Sequence, residues 1–172
     1  MVTASPERAL RIAAEAPDPE LPMLTLADLG VLHGIEVTPH GTVVARLTPT
    51  YAGCPAVAEM RAEVAARLRA AGFADVRVVT VLDPPWTTDR ITDEGRRKLA
   101  EHGIAPPGPR DAQGSQPARI WLSLATAPAP VPCPRCASAD TEEISRFAAT
   151  ACTALRRCRA CLEPFPHVKD LP

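Results

Sequence analysis

Four of the six cysteines fall into two Cys-x-x-Cys pairs, Cys133-Pro134-Arg135-Cys136 and Cys158-Arg159-Ala160-Cys161, with 21 residues between them. A turn of this kind presents two thiolates to one ion, and two such turns close a tetrahedral site. The interval exceeds the usual zinc-ribbon range by one residue, which does not prevent closure. Zinc in a structural role is the reading that this spacing favours. An iron–sulfur cluster on the same four thiolates competes with it, because a four-cysteine site suits both. The bland alternative is a set of unliganded thiols. Four thiolates on one dication leave a net negative centre, and Arg135, Arg156, Arg157 and Arg159 lie close enough in sequence to offset it. Cys152 is a fifth candidate: a core cysteine, a spare ligand, or a cluster ligand in place of another. His167, six residues past Cys161, is expected at the surface.

Cys54 stands apart from the other five, in Thr48-Pro49-Thr50-Tyr51-Ala52-Gly53-Cys54-Pro55-Ala56. Pro55 suits the first position of a helix. That would set Cys54 at or beside the N-cap, where the positive end of the helix would lower a thiol pKa. The competing reading is a small residue filling a loop. Asp18, Glu20, Asp83 and the loop Trp86-Thr87-Thr88-Asp89 carry groups that could rim this thiol or add oxygen ligands, although each taken alone reads as a turn or cap residue.

The elements that must position these groups can be read from periodicity. Ser5 and Pro6 mark the start of an Ala-rich helix that ends before Pro17. Asp18-Pro19-Glu20-Leu21-Pro22 is held extended by its prolines. Val31, His33, Ile35 and Val37 alternate with Leu32, Gly34 and Glu36; after Pro39-His40-Gly41, Val43, Ala45 and Leu47 alternate with Val44 and Arg46. That is a hairpin. From Pro55 onward Val57, Met60, Val64, Leu68 and Ala71 fall at helical spacing, and Gly72 supplies the stop. Val76–Leu82 predicts a third strand, and Thr92–His102 another helix closed by Gly103. The order helix, strand, strand, helix, strand, helix gives an α+β domain over residues 1–105, a small sheet with helices packed on it. Residues 106–118 hold four prolines and two glycines and read as a linker. The module over 119–172 is too small to bury much surface unaided, and it carries five of the six cysteines. Glu142–Phe147 and Ala154–Arg157 are long enough for the strands of a zinc ribbon.

Composition narrows the function classes. The chain has 172 residues, 19 Lys and Arg against 20 Asp and Glu, and a net charge of −1. Residues 110–172 carry eight basic groups against six acidic ones, with Trp121, Phe147 and Phe165 scattered among them. Neither a charge track nor a stacking platform for nucleic acid follows. Met1–Glu20 contains no signal-peptide run, and the apolar stretch Ile120–Pro134 is short and proline-broken, so a membrane location is not expected. A cytoplasmic setting keeps thiols reduced, which favours metal ligation over disulfides. No phosphate loop, nucleophile elbow or dinucleotide fingerprint points to an enzyme. The carboxylates are dispersed, and His33, His40 and His102 have no ligand spacing, so the chain has no di-iron signature of its own.

The segments DPELP at 18–22, LADLGVLHGIEV at 26–37, LTPTYAGCPA at 47–56 and LDPPWTTDRITDEGRRKLAEHGIAPP at 82–107 resemble the D subunits of bacterial phenylacetyl-CoA epoxidase systems. In the tail, CPRC, SRFAATAC, LRRCRAC and EPF match that family in order. The first domain is in turn similar to small cytosolic iron–sulfur assembly factors, which place a functional cysteine at Cys54 and an acidic residue at Asp18. The resemblance implies a non-catalytic accessory protein of aerobic phenylacetate breakdown that assists assembly of a metal centre. Its partners would be the epoxidase oxygenase and reductase subunits. It further implies that Cys54 and Asp18 form a transfer site where an iron–sulfur cluster is held transiently; Glu20, on residue type alone, is an additional candidate ligand. Cys133, Cys136, Cys158 and Cys161 would hold the tail metal. The chain departs from the family in reading Phe147-Ala148-Ala149-Thr150 where Phe-Gly-Ser-Thr is usual, and in ending Lys169-Asp170-Leu171-Pro172 without further Cys or His. A structural docking component of the epoxidase complex is the second reading, a nucleic-acid-binding ribbon the third. A dimer bridging a cluster through two Cys54 thiolates is a further expectation.

Overall fold

The computed structural model describes residues 5–108 and 130–169. Two compact units divide between His102 and Gly103. Of the expected linker, residues 109–118 lie outside the described residues, as do Trp121 and the three C-terminal positions.

In the first unit, Ser5 caps helix α1, Pro6–Ala14, by accepting from the Arg8 N–H, with Pro6 at the first turn. Strands β1, Leu32–Val37, and β2, Val43–Leu47, form the expected antiparallel hairpin. β2 alternates as read: Val43, Ala45 and Leu47 are buried while Val44 and Arg46 are not. β1 does not. A register shift between Leu32 and Gly34 breaks the ladder, so His33 points to solvent instead of sharing the face of Ile35 and Val37. Helix α2, Val57–Ala70, buries Met60, Val64, Ala65 and Leu68 and leads into β3, Val76–Thr80, which pairs parallel to β2. β3 stops two residues short of the expected Leu82; Val81 still donates to the Leu47 carbonyl. The strand order is β1-β2-β3, with α1 and α2 packed on the sheet. Gly72, at φ 94°, ends the α2 turn in the left-handed region that glycine tolerates. Arg8 ties the two helices together: its guanidinium donates to the Ala71 carbonyl at 2.7 Å and lies 5.0 Å from the Phe73 ring centre. Thr92 caps helix α3, Asp93–Glu101, whose Lys98 bonds Asp28 at 2.8 Å.

The second unit is a three-stranded antiparallel sheet: β4, Thr141–Ser145, β5, Thr153–Cys158, and β6, Pro164–Val168. β4 and β5 lie where strands are expected; β6 has no counterpart in the sequence periodicity. Ala105 extends the sheet beyond β6 by accepting from Val168 and donating to Pro166. Ala105, Val131, Cys133, Cys158 and Phe165 form one cluster of its small core, and Cys152, Ala154 and Val168 are buried as well.

Candidate functional site

Two sets of chemically capable residues stand out, one in each unit. In the second unit, the turn after Val131 carries Cys133 and Cys136, and the turn between β5 and β6 carries Cys158 and Cys161. The four Sγ atoms lie within 4.8 Å of one another, the one such cluster of metal-ligating groups among the described residues. Cys133 Sγ is 3.8 Å from Cys161 Sγ, and Cys136 Sγ is 3.6 Å from Cys158 Sγ. A tetrahedral ion with metal–sulfur bonds of about 2.3 Å would set its sulfurs about 3.8 Å apart. The geometry therefore fits a four-thiolate metal site. Ala137 and Leu162, each next after the second cysteine of its pair, adopt left-handed φ of 60° and 63°, so both turns close the same way.

The turn amides bias the thiols. The Cys161 N–H, 3.5 Å from Cys158 Sγ, heads the influences that bring the Cys158 thiol down to about 7. Cys136 has a Ser138 N–H pulling its pKa down, but the neighbouring thiols, Cys158 first, push it up to about 12. A dication would relieve this competition by taking all four as thiolates. The arginines expected to offset the charge are otherwise engaged. Arg157 and Arg159 both bond Glu142, Arg135 bonds Glu163 at 3.3 Å, and Arg156 lies 3.9 Å from Glu143.

Cys152 is buried outside the four-sulfur cluster, immediately before β5, and shares a hydrogen bond of 3.1 Å with the Thr150 hydroxyl. His167 is not at the surface: it is 6 % exposed on β6, and burial, with the nearby Arg156 charge, lowers its pKa to about 4.

In the first unit, Cys54 sits two residues ahead of the α2 N-cap, Ala56, rather than on it. Its N–H donates to the Tyr51 carbonyl and its own carbonyl accepts from Val57, which fixes the turn. The thiol is only 9 % exposed. Burial pushes its pKa up, Glu20 and Asp18 push it further, and the N–H groups of Ala56 and Val57 only partly counter this. The expected lowering by the helix end is overturned, because desolvation penalises the thiolate more than two amides reward it. Asp18 is 3 % exposed, and its Oδ1 accepts from the N–H groups of Glu20 and Leu21 at 2.9 and 2.8 Å. Burial still raises its pKa, with Glu59 adding to the rise; Glu20 is raised by burial and by Asp18. The fold thus gathers Cys54, Asp18 and Glu20 into one electrostatically coupled group, with Glu59 of α2 at its margin.

Asp83 and the Trp86–Asp89 loop stand differently. Asp83 and Asp89 are exposed, whereas Trp86 is a core residue whose indole donates to the Leu29 carbonyl at 2.8 Å. Trp86 also lines a cleft of about 320 Å³ with Thr48, Tyr51, Leu82 and Pro85, beside the loop that leads to Cys54. Sequence periodicity gave no sign of that cleft, since it arises where the chain leaves the parallel pair β2 and β3. Among the described residues no helix is long and apolar enough to cross a membrane.

Known proteins place these two units. Residues 10–81 match the family described as iron–sulfur cluster assembly protein, and residues 122–169 match the PaaD zinc beta ribbon domain. A domain of unknown function, DUF59, from Bacillus anthracis shares the fold of the first unit at a TM-score of 0.50 and 22 % identity, covering 55 % of this chain and 90 % of that one. An Fe–S protein maturation auxiliary factor of Porphyromonas gingivalis is 27 % identical over 54 % of this chain and 89 % of its own length. The putative D subunit of the Escherichia coli (strain K12) 1,2-phenylacetyl-CoA epoxidase is 40 % identical over 92 % of this chain and 88 % of its own. Similarity of that depth over nearly the whole chain makes it a member of the phenylacetyl-CoA epoxidase D-subunit family.

Proposed function

We propose that this protein is a non-catalytic maturation factor of a phenylacetyl-CoA epoxidase system, passing iron or an iron–sulfur cluster to a partner through Cys54, Asp18 and Glu20. The observation that carries the reading is the convergence of one nearly buried thiol with two carboxyl groups whose charges it feels. A thiol kept protonated by burial and by anionic neighbours is poorly nucleophilic and slow to oxidise. A cation arriving beside it reverses that balance: it stabilises the thiolate and both carboxylates together. Such a group keeps its proton until an arriving cation displaces it to solvent, which suits a cargo that must be held briefly and released. Cys133, Cys136, Cys158 and Cys161 would hold a resident zinc, whose contribution is to close the ribbon. Membership of the epoxidase D-subunit family supports oxygenase and reductase subunits as partners and a cytoplasmic setting. The likeness of residues 10–81 to iron–sulfur assembly proteins favours maturation over simple docking within the complex.

The test is complementation of a strain lacking this protein by Cys54→Ala and by Asp18→Asn, with whole-cell epoxidase activity and the iron content of the purified oxygenase and reductase as readouts. Cys54→Ala should fold normally yet leave activity and partner iron at the level of the uncomplemented strain. Full complementation, with normal partner iron, would discard transfer and favour the docking role.

A further inference from the structure

Among the described residues β3 is an edge strand, and the ladder sets the direction of its outward groups. Asp75 accepts from Val43, and Val81 donates to Leu47, so the odd-numbered residues of this segment face β2. The N–H and C=O groups of Val76, Val78 and Thr80 therefore face outward, away from the sheet. Only one of them has a partner among the described residues: the Val78 carbonyl accepts from Arg61 Nε at 3.1 Å.

Beside this edge, α2 and β3 enclose a groove of about 550 Å³ whose lining includes Arg61, Arg69, Arg77 and Val79, and no acidic residue. Among the described residues none of these three arginines is in a salt bridge, while Arg67 on the same helix is paired with Glu63. In a chain of net charge −1, three guanidinium groups with no carboxylate partner among the described residues, along one strand edge, are a local excess of positive charge.

We infer that the β3 edge binds an extended acidic segment of a partner protein, which adds to the sheet as a fourth strand while its carboxylates pair with Arg61, Arg69 and Arg77. The backbone groups of Val76, Val78 and Thr80 supply the ladder bonds, and the arginines select the sign of the incoming side chains. Arg61 trades its bond to a neutral carbonyl for a charge-assisted bond to a carboxylate, the stronger of the two. The Val78 carbonyl is then released to the added strand. This surface is separate from the Cys54 group and does not depend on a transfer role for it.

The test uses the full-length protein and a labelled peptide of alternating Glu and Val, with fluorescence anisotropy for affinity and hydrogen exchange for the site. The peptide should bind and slow exchange of the Val76, Val78 and Thr80 amides, whereas a Lys–Val peptide of the same pattern should not. Arg69→Glu/Arg77→Glu, both at exposed positions, should weaken binding by roughly tenfold or more. Thr80→Pro, which removes an outward N–H without touching the β2 ladder, should weaken it with all charges intact. Unchanged affinity in the charge variant would overturn the proposal. So would binding of single-stranded DNA or polyglutamate as tight as the peptide's with no protection of β3, or self-association that protects the same amides.

Discussion

Cys54 shows how one residue's chemistry is set by what surrounds it rather than by its place in the chain. Its nearness to a helix start suggests a reactive thiolate; its burial beside Glu20 and Asp18 produces the opposite, a thiol with a raised pKa. The sign of each contribution is testable. Glu20→Gln removes the larger of the two named charge effects without removing a cysteine neighbour's volume, so the Cys54 pKa should fall. Alkylation of Cys54 by iodoacetamide, followed by mass spectrometry across pH 7–10 in metal-free buffer, should then run faster in the variant, with its pH profile displaced to lower pH. An unmoved profile would mean that burial alone governs the thiol, and the proposed coupling to the carboxyl groups would lose its support. Residue type made Asp18 one of several candidate oxygen ligands, and only resemblance singled it out. Its Oδ1 bonds to the Glu20 and Leu21 amides are those of an ordinary turn aspartate, and nothing local in DPELP marks its proximity to Cys54.

At the scale of elements, periodicity revealed most of the first unit because most of its strands and helices bury a single face. β2 and α2 are examples, with Val43, Ala45 and Leu47 alternating and Met60, Val64 and Leu68 recurring at helical spacing. The failures have local causes. The irregularity at His33 inserts a residue that the two-residue period cannot anticipate. β6 was hidden by Pro164 and Pro166, which argue against a strand. In the sheet, Lys169 donates to Cys152 and Cys158 donates to Glu163, so the odd positions of β6 face β5 and both prolines face outward. No ladder donor is lost, which is the condition under which prolines are accepted in an edge strand. That strand is also what buries His167. With a folded pKa lowered to about 4 from 6.5, the neutral ring favours the native state, and the unfolded chain binds the extra proton between those values. Stability from this residue is fully present above pH 6.5 and lost as pH falls toward 4, an effect of about 3 kcal/mol at most. Denaturant unfolding of metal-loaded protein should therefore depend less on pH across that window in His167→Leu than in wild type. Parallel curves for the two proteins would show that His167 does not titrate on unfolding.

At the scale of the whole molecule, the two units draw on different sources of stability. The first is closed by aliphatic side chains, with Leu24, Leu26, Leu47, Leu68 and Leu99 almost fully buried. The second has a small core, in which Cys133 and Cys158 are metal ligands in this reading and Ala105 and Ala154 contribute little area. The remaining Val131, Phe165 and Val168 are few, so apolar burial stabilises this unit far less than it does the first. A zinc ion on four thiolates supplies about 10–16 kcal/mol, far more than those few side chains. Metal removal should thus divide the molecule. Among the described residues all three α-helices lie in the first unit, so the helical far-ultraviolet circular dichroism signal reports on that unit. On adding a zinc-selective chelator under reducing conditions, the helical signal should persist while amides of residues 130–169 lose their protection from hydrogen exchange. Cys158→Ser should reproduce that state without a chelator. Loss of the helical signal together with the ribbon would show one cooperative unit, and retention of ribbon protection in metal-free protein would show that the four cysteines do not hold the fold. The expected split also bears on the proposed transfer role. A ribbon that unfolds alone on chelation, leaving the Cys54 group folded, would allow metal binding at the two sites to be measured separately in one chain.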